Sequence, residues 1–165
     1  MTLASTVFTP FSFGSEPTVG SSGVARFVAQ KFAQGWGRLR DSNSLGAGFG
    51  AAFEELHSVA EECGLPDWDG YGAAPVVQET VGQAYRFLTA LPLGTPAPSV
   101  GAEPDGHIAL EWYRSPRRTL SVSISPEGDL HYAALLGLRK THGTEPFFGE
   151  VPQDILDLIR RVFSA

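Results

Sequence analysis

The alternation of apolar and polar positions is most regular between residues 99 and 137. His107-Ile-Ala-Leu-Glu-Trp-Tyr113 puts Ile108, Leu110 and Trp112 on one side. Thr119-Leu-Ser-Val-Ser-Ile-Ser125 does the same with Leu120, Val122 and Ile124, and Leu130, Tyr132, Ala134 and Leu136 continue the pattern. Period two means strands with one buried face. Each break carries turn chemistry: Pro104-Asp105-Gly106, Ser115-Pro116-Arg117 and Pro126-Glu127-Gly128. A one-residue slip would turn every apolar side chain to the wrong face, so the register is predictable. Trp112 should face Leu120, Leu110 face Val122 and Ile108 face Ile124. In the next hairpin Ile124 should face Leu130, Val122 face Tyr132 and Leu120 face Ala134. The expected unit is a three-stranded antiparallel meander, or four-stranded if Ser99–Glu103 joins it.

Around this core the period changes to that of a helix. Val24, Phe27, Val28 and Phe32 predict an amphipathic helix over Val24–Leu39. Phe49, Phe53, Leu56, Val59, Ala60 and Cys63 predict a second, ended by Gly64 and Pro66. Val77, Val81, Ala84, Tyr85, Leu88 and Leu91 predict a third, followed by an extended connector through Pro92, Pro96 and Pro98. Ile155, Leu158, Ile159 and Val162 predict a C-terminal helix over 152–163, with Asp154 and Asp157 toward its start and Arg160 and Arg161 toward its end, as the helix dipole favours. Helices and strands are segregated along the chain, which predicts an α+β domain. The expected organisation is an N-terminal arm over 1–23, flexible or partner-binding, and a single domain over 24–165. Within the domain, 49–91 is helical, 99–137 is the meander and 152–163 is the closing helix.

At 165 residues the chain has the size of one domain and can bury about two-thirds of its unfolded surface. The net charge of −6 argues against direct nucleic-acid binding and is compatible with a protein partner. The single cysteine, Cys63, rules out an internal disulfide or a multi-cysteine zinc site and reads as a buried thiol on a helix stripe. No apolar run is long enough to span a bilayer, and Met1–Ser12 lacks the charge and apolar stretch of a signal peptide, so a cytoplasmic protein without membrane contact is expected.

The polar face of the meander follows from the same register. It should present Glu111, Ser121, Ser123 and His131, with Ser123 across from His131 and Glu111 across from Ser121. Ser, His and Glu on one patch suggest a hydrolase. A nucleophile also needs a concave pocket and an oxyanion hole, which the middle of a sheet does not supply. No G-x-S-x-G elbow is present. A solvated or partner-binding face is the better reading. His142, in the polar stretch Lys140–Glu145, is expected in a loop. Asp67-Trp68-Asp69-Gly70-Tyr71-Gly72 begins like a calcium loop, but its fifth position is Tyr71 and its twelfth is Gln78, so it lacks the ligands. It reads as a structured loop whose Asp side chains accept backbone N–H bonds, with Trp68 and Tyr71 as packed anchors. Gly46-Ala-Gly-Phe-Gly50 lacks the last glycine and the preceding strand of a dinucleotide motif. No cofactor and no metal centre is expected, and no catalytic residue is assigned.

Two segments carry a resemblance. Asp67-Trp-Asp-Gly-Tyr-Gly-Ala-Ala-Pro75 is one. Glu103-Pro-Asp-Gly-His-Ile-Ala-Leu-Glu-Trp112, with Leu120–Ile124 and Gly128–Tyr132 after it, is the other. Together they resemble a group of small bacterial proteins of unassigned activity, associated with variable genomic regions. The resemblance covers about residues 65–163 and excludes 1–47. It implies an antitoxin, an immunity protein, a defence-system component or an inhibitor of a defence enzyme. The expected function is therefore non-enzymatic binding of another protein, or self-association, with Glu111, Ser121, Ser123, His131, His142, Trp68 and Tyr71 as candidate binding residues. The alternatives are a small hydrolase or nucleic-acid-processing enzyme, or a toxin.

Overall fold

The computed structural model describes residues 47–164. The arm expected over 1–23 and the helix expected over Val24–Leu39 lie outside them. Three helices and five strands follow in the order α1 (Ala47–Glu62), α2 (Gln78–Ala90), β1 (Ser99–Ala102), β2 (Ile108–Ser115), β3 (Arg118–Ile124), β4 (Asp129–Leu136), β5 (Arg139–Pro146) and α3 (Gln153–Phe163). The strands form one antiparallel sheet in chain order, β1-β2-β3-β4-β5. The domain is thus α+β.

The apolar alternation sets the pairing as expected. Ile108, Leu110 and Trp112 face Ile124, Val122 and Leu120, and these face Leu130, Tyr132 and Ala134 in turn. Seven of the side chains so named, from Ile108 through Leu130, are essentially inaccessible, and Ile155, Ile159 and Val162 of α3 and Phe87 of α2 close over them. Trp112 reaches past the sheet, where its indole N–H donates to the Pro96 carbonyl at 2.7 Å. The connector after α2 is thereby pinned to β2.

The sheet is larger than the three or four strands expected. Ser99–Ala102 does join it, as β1. The unforeseen strand is β5, because Arg139–Pro146 has no apolar alternation and the helices bury neither of its faces. Its backbone is held by pairing with β4 along its whole length, from Leu136 against Arg139 to Asp129 against Pro146. Gly143 allows the Tyr132 ring to lie across β5, since a Cβ there would stand 2.5 Å from the Tyr132 hydroxyl oxygen. His142 accordingly sits in a strand, opposite Ala133, and not in a loop. Gly48–Gly50 belong to α1. Among the described residues no helix is long and apolar enough to cross a membrane.

Candidate functional site

All three helices pack on one face of the sheet, so no described element covers the other. Glu111, Ser121, Ser123 and His131 stand together on that open face, with His142 on the neighbouring strand, as the register requires. The contacts divide them. Glu111 accepts from the Thr119 hydroxyl at 3.3 Å. Ser123 and His131 belong to a second cluster, built at the end of the sheet where β1 turns into β2.

That turn is Glu103-Pro-Asp-Gly-His107. Ser123 donates its hydroxyl proton to Glu103 Oε2 at 2.5 Å. His107 Nδ1 lies 3.2 Å from the same hydroxyl and 3.4 Å from Asp105 Oδ2. Because Ser123 has one proton and gives it to Glu103, its contact with His107 places a proton on Nδ1. His131 stacks on His107 with ring centroids 5.8 Å apart and planes 6° from parallel, and its Nδ1 meets the Thr144 hydroxyl at 2.9 Å. A Ser-His-carboxylate triad needs the serine at Nε2 and the acid at Nδ1. Here Ser123 and Asp105 both face Nδ1, so the cluster does not form one. The patch read from the sequence included Ser123 and His131 but missed Glu103, Asp105 and His107. The E-x-D-x-H spacing was visible; that a hairpin turn would fold it into one cluster was not.

The Asp67–Pro75 loop packs directly beside this turn. Asp69 Oδ1 accepts from the N–H groups of Tyr71 at 2.8 Å and Ala73 at 3.1 Å, and Asp67 Oδ1 accepts from Gly72 at 2.7 Å. These are the backbone bonds expected of the two aspartates. Trp68 is half-buried and donates to the Ala74 carbonyl at 3.0 Å. Tyr71 is not a packed anchor: it is 94% exposed at the loop tip, because Gly70 and Gly72, both at positive φ, turn the chain outward around it. Ala74 N–H donates to the Pro104 carbonyl at 2.8 Å, so the two motifs that carry the resemblance touch in space.

The opposite end of the sheet has the opposite charge. The β2–β3 and β4–β5 turns lie side by side there, joined by a bond of 2.7 Å from Gly137 N–H to the Arg117 carbonyl. They bring together Arg114, Arg117, Arg118, Arg139 and Lys140. Arg118 also donates to the Ser164 carbonyl, which brings Arg160 and Arg161 at the end of α3 to the same end. Apart from Arg86, every Lys and Arg of the described residues lies here. No Asp or Glu occurs between Trp112 and Ser125 or between Leu130 and Thr144. Among the described residues the only ion pair of this group joins Arg160 to Asp157. Two large apolar side chains stand exposed among the cations: Tyr113 at 58% and Leu138 at 89%.

No family model, curated protein or solved structure matches the chain.

Proposed function

We propose that the protein is a non-enzymatic interaction module that binds an acidic partner protein through the basic end of its sheet. The observation that carries this reading is the group of arginines and Lys140, of which only Arg160 is ion-paired among the described residues, set around exposed Tyr113 and Leu138. Arginine and aromatic side chains are enriched at protein interfaces and dominate their binding energy. A polyanion such as nucleic acid would use the cations but has little use for an exposed leucine at the tip of a turn. The chain's net charge of −6 also repels a polyanion at long range. A partner with an acidic rim and an apolar centre uses both parts of the patch. An antitoxin, immunity or defence-inhibitor role, the kind the motif resemblance implies, fits this reading: such a protein would dock on and block a toxin or defence enzyme.

The test replaces Leu138 with a photo-crosslinking residue in the native host. The expected result is one cross-linked protein that, once purified, rebinds the wild-type chain. R117E/R139E should weaken that rebinding by about tenfold or more. Cross-linking to nucleic acid, or rebinding unchanged by R117E/R139E, overturns the reading.

A further inference from the structure

The acidic end carries a second, separate feature. Glu103, Asp105 and His107 occupy alternate positions of one turn, and one donor atom from each lies within 4.8 Å of the other two. The backbone holds the turn closed: Gly106 N–H donates to the Glu103 carbonyl and Glu103 N–H to the His107 carbonyl, both at 2.9 Å. Asp105 Oδ1 accepts from His107 N–H at 3.1 Å, which aims Oδ2 at the imidazole. Glu103 commits Oε2 to Ser123, and among the described residues its other oxygen accepts no hydrogen bond. The stacked His131 ring holds the plane of His107. Glu103 Oε2 and Asp105 Oδ1 are thus each engaged by one hydrogen bond, and Asp105 Oδ2 faces the imidazole.

Charge says which ligand. With a neutral imidazole the three side chains carry two negative charges, and no Lys or Arg of the described residues pairs with either acid. We propose that Glu103, Asp105 and His107 bind one divalent transition-metal ion, zinc being the probe of choice. An imidazole nitrogen in the donor set favours such an ion over magnesium or calcium, which prefer oxygen alone. Two donors on one tetrahedral zinc, at bond lengths of about 2.0–2.2 Å, stand roughly 3.4 Å apart. His107 Nδ1 and Asp105 Oδ2 are separated by 3.4 Å. The ion displaces the Nδ1 proton, and Ser123 orients Glu103 from behind, as outer groups do around metal ligands. Three protein ligands leave a coordination position for water. This proposal does not depend on the basic-end reading.

The experiment titrates chelator-stripped full-length protein with Zn²⁺ by calorimetry. One saturable ion per chain is expected, with affinity falling at acid pH because the imidazole must be deprotonated. H107A and E103Q should each weaken binding by about tenfold or more, and D105N, which keeps the Oδ1 cap, should do so without loss of fold by circular dichroism. H57A and H142A should bind as the wild type does. X-ray absorption of the zinc-loaded protein should show a nitrogen and oxygen shell with one imidazole. Absence of saturable binding, magnesium binding as tightly as zinc, or full binding by H107A overturns the proposal.

Discussion

At the scale of single residues, a few positions decide the local geometry. Gly106 has φ +85°, and a Cβ there would stand 2.8 Å from the Pro75 carbonyl oxygen, a backbone atom that cannot swing aside. G106A therefore strains the turn and pushes apart the two motif loops. It should cost roughly 1–3 kcal/mol in chemical denaturation and should weaken zinc binding as well. G70A, at positive φ but with open space around it, should cost less, because only the backbone term applies. Cys63 gives a residue-scale pH effect. Burial pushes its thiol pKa up, and the neighbouring Glu62 carboxylate adds to the shift. The folded thiol thus stays protonated where an unfolded one ionises. Its contribution to stability is complete below the ordinary thiol pKa and is lost as pH rises toward the folded value. Native protein should accordingly react slowly with thiol reagents near pH 8, and adding denaturant should restore the ordinary rate.

At the scale of elements, burial sorts the strands. β2, β3 and β4 lie under α3 and α2 and gain their stability from apolar contact. Ile155 of α3 is fully inaccessible against them, so I155A should cost about 2–5 kcal/mol by thermal or denaturant unfolding. β5 has no such cover and is held by its ladder to β4. Its charged Arg139 and Lys140 also discourage another chain from pairing with its free edge. Native-state hydrogen exchange should rank the strands in that order: β3 amides most protected, and those β5 amides that bond to β4 opening at lower free energy.

At the scale of the molecule, the charges are segregated. Strands of eight residues such as β2 and β4 separate the basic end from the acidic turn. At about 3.3 Å per residue that separation exceeds the Debye length of about 8–10 Å at physiological salt. The two ends should therefore act independently. R117E/R139E should leave zinc affinity unchanged, and E103Q should leave partner rebinding unchanged, each read by calorimetry. A mutual effect larger than about threefold, or 0.6 kcal/mol, would mean that the two sites are coupled through the sheet.

The sequence by itself determined the β2–β4 meander and its register, because alternation with one buried face admits one pairing without exposing the core. It also determined α1, α2 and α3, whose stripes and end signals are local. It placed Glu111 across from Ser121 and Ser123 across from His131 for the same reason. Tertiary structure decided the rest. β5 has no apolar period of its own and exists because β4 offers a free edge. Tyr71 points to solvent because two glycines turn the loop around it, although an aromatic in such a loop suggests a packed anchor. Glu103, Asp105 and His107 became a cluster through the hairpin turn, and Ser123 joined them from the next strand. The basic end formed because two turns distant in the chain lie side by side and α3 ends beside them. Net charge, being a sum over the whole chain, carries no information about that separation.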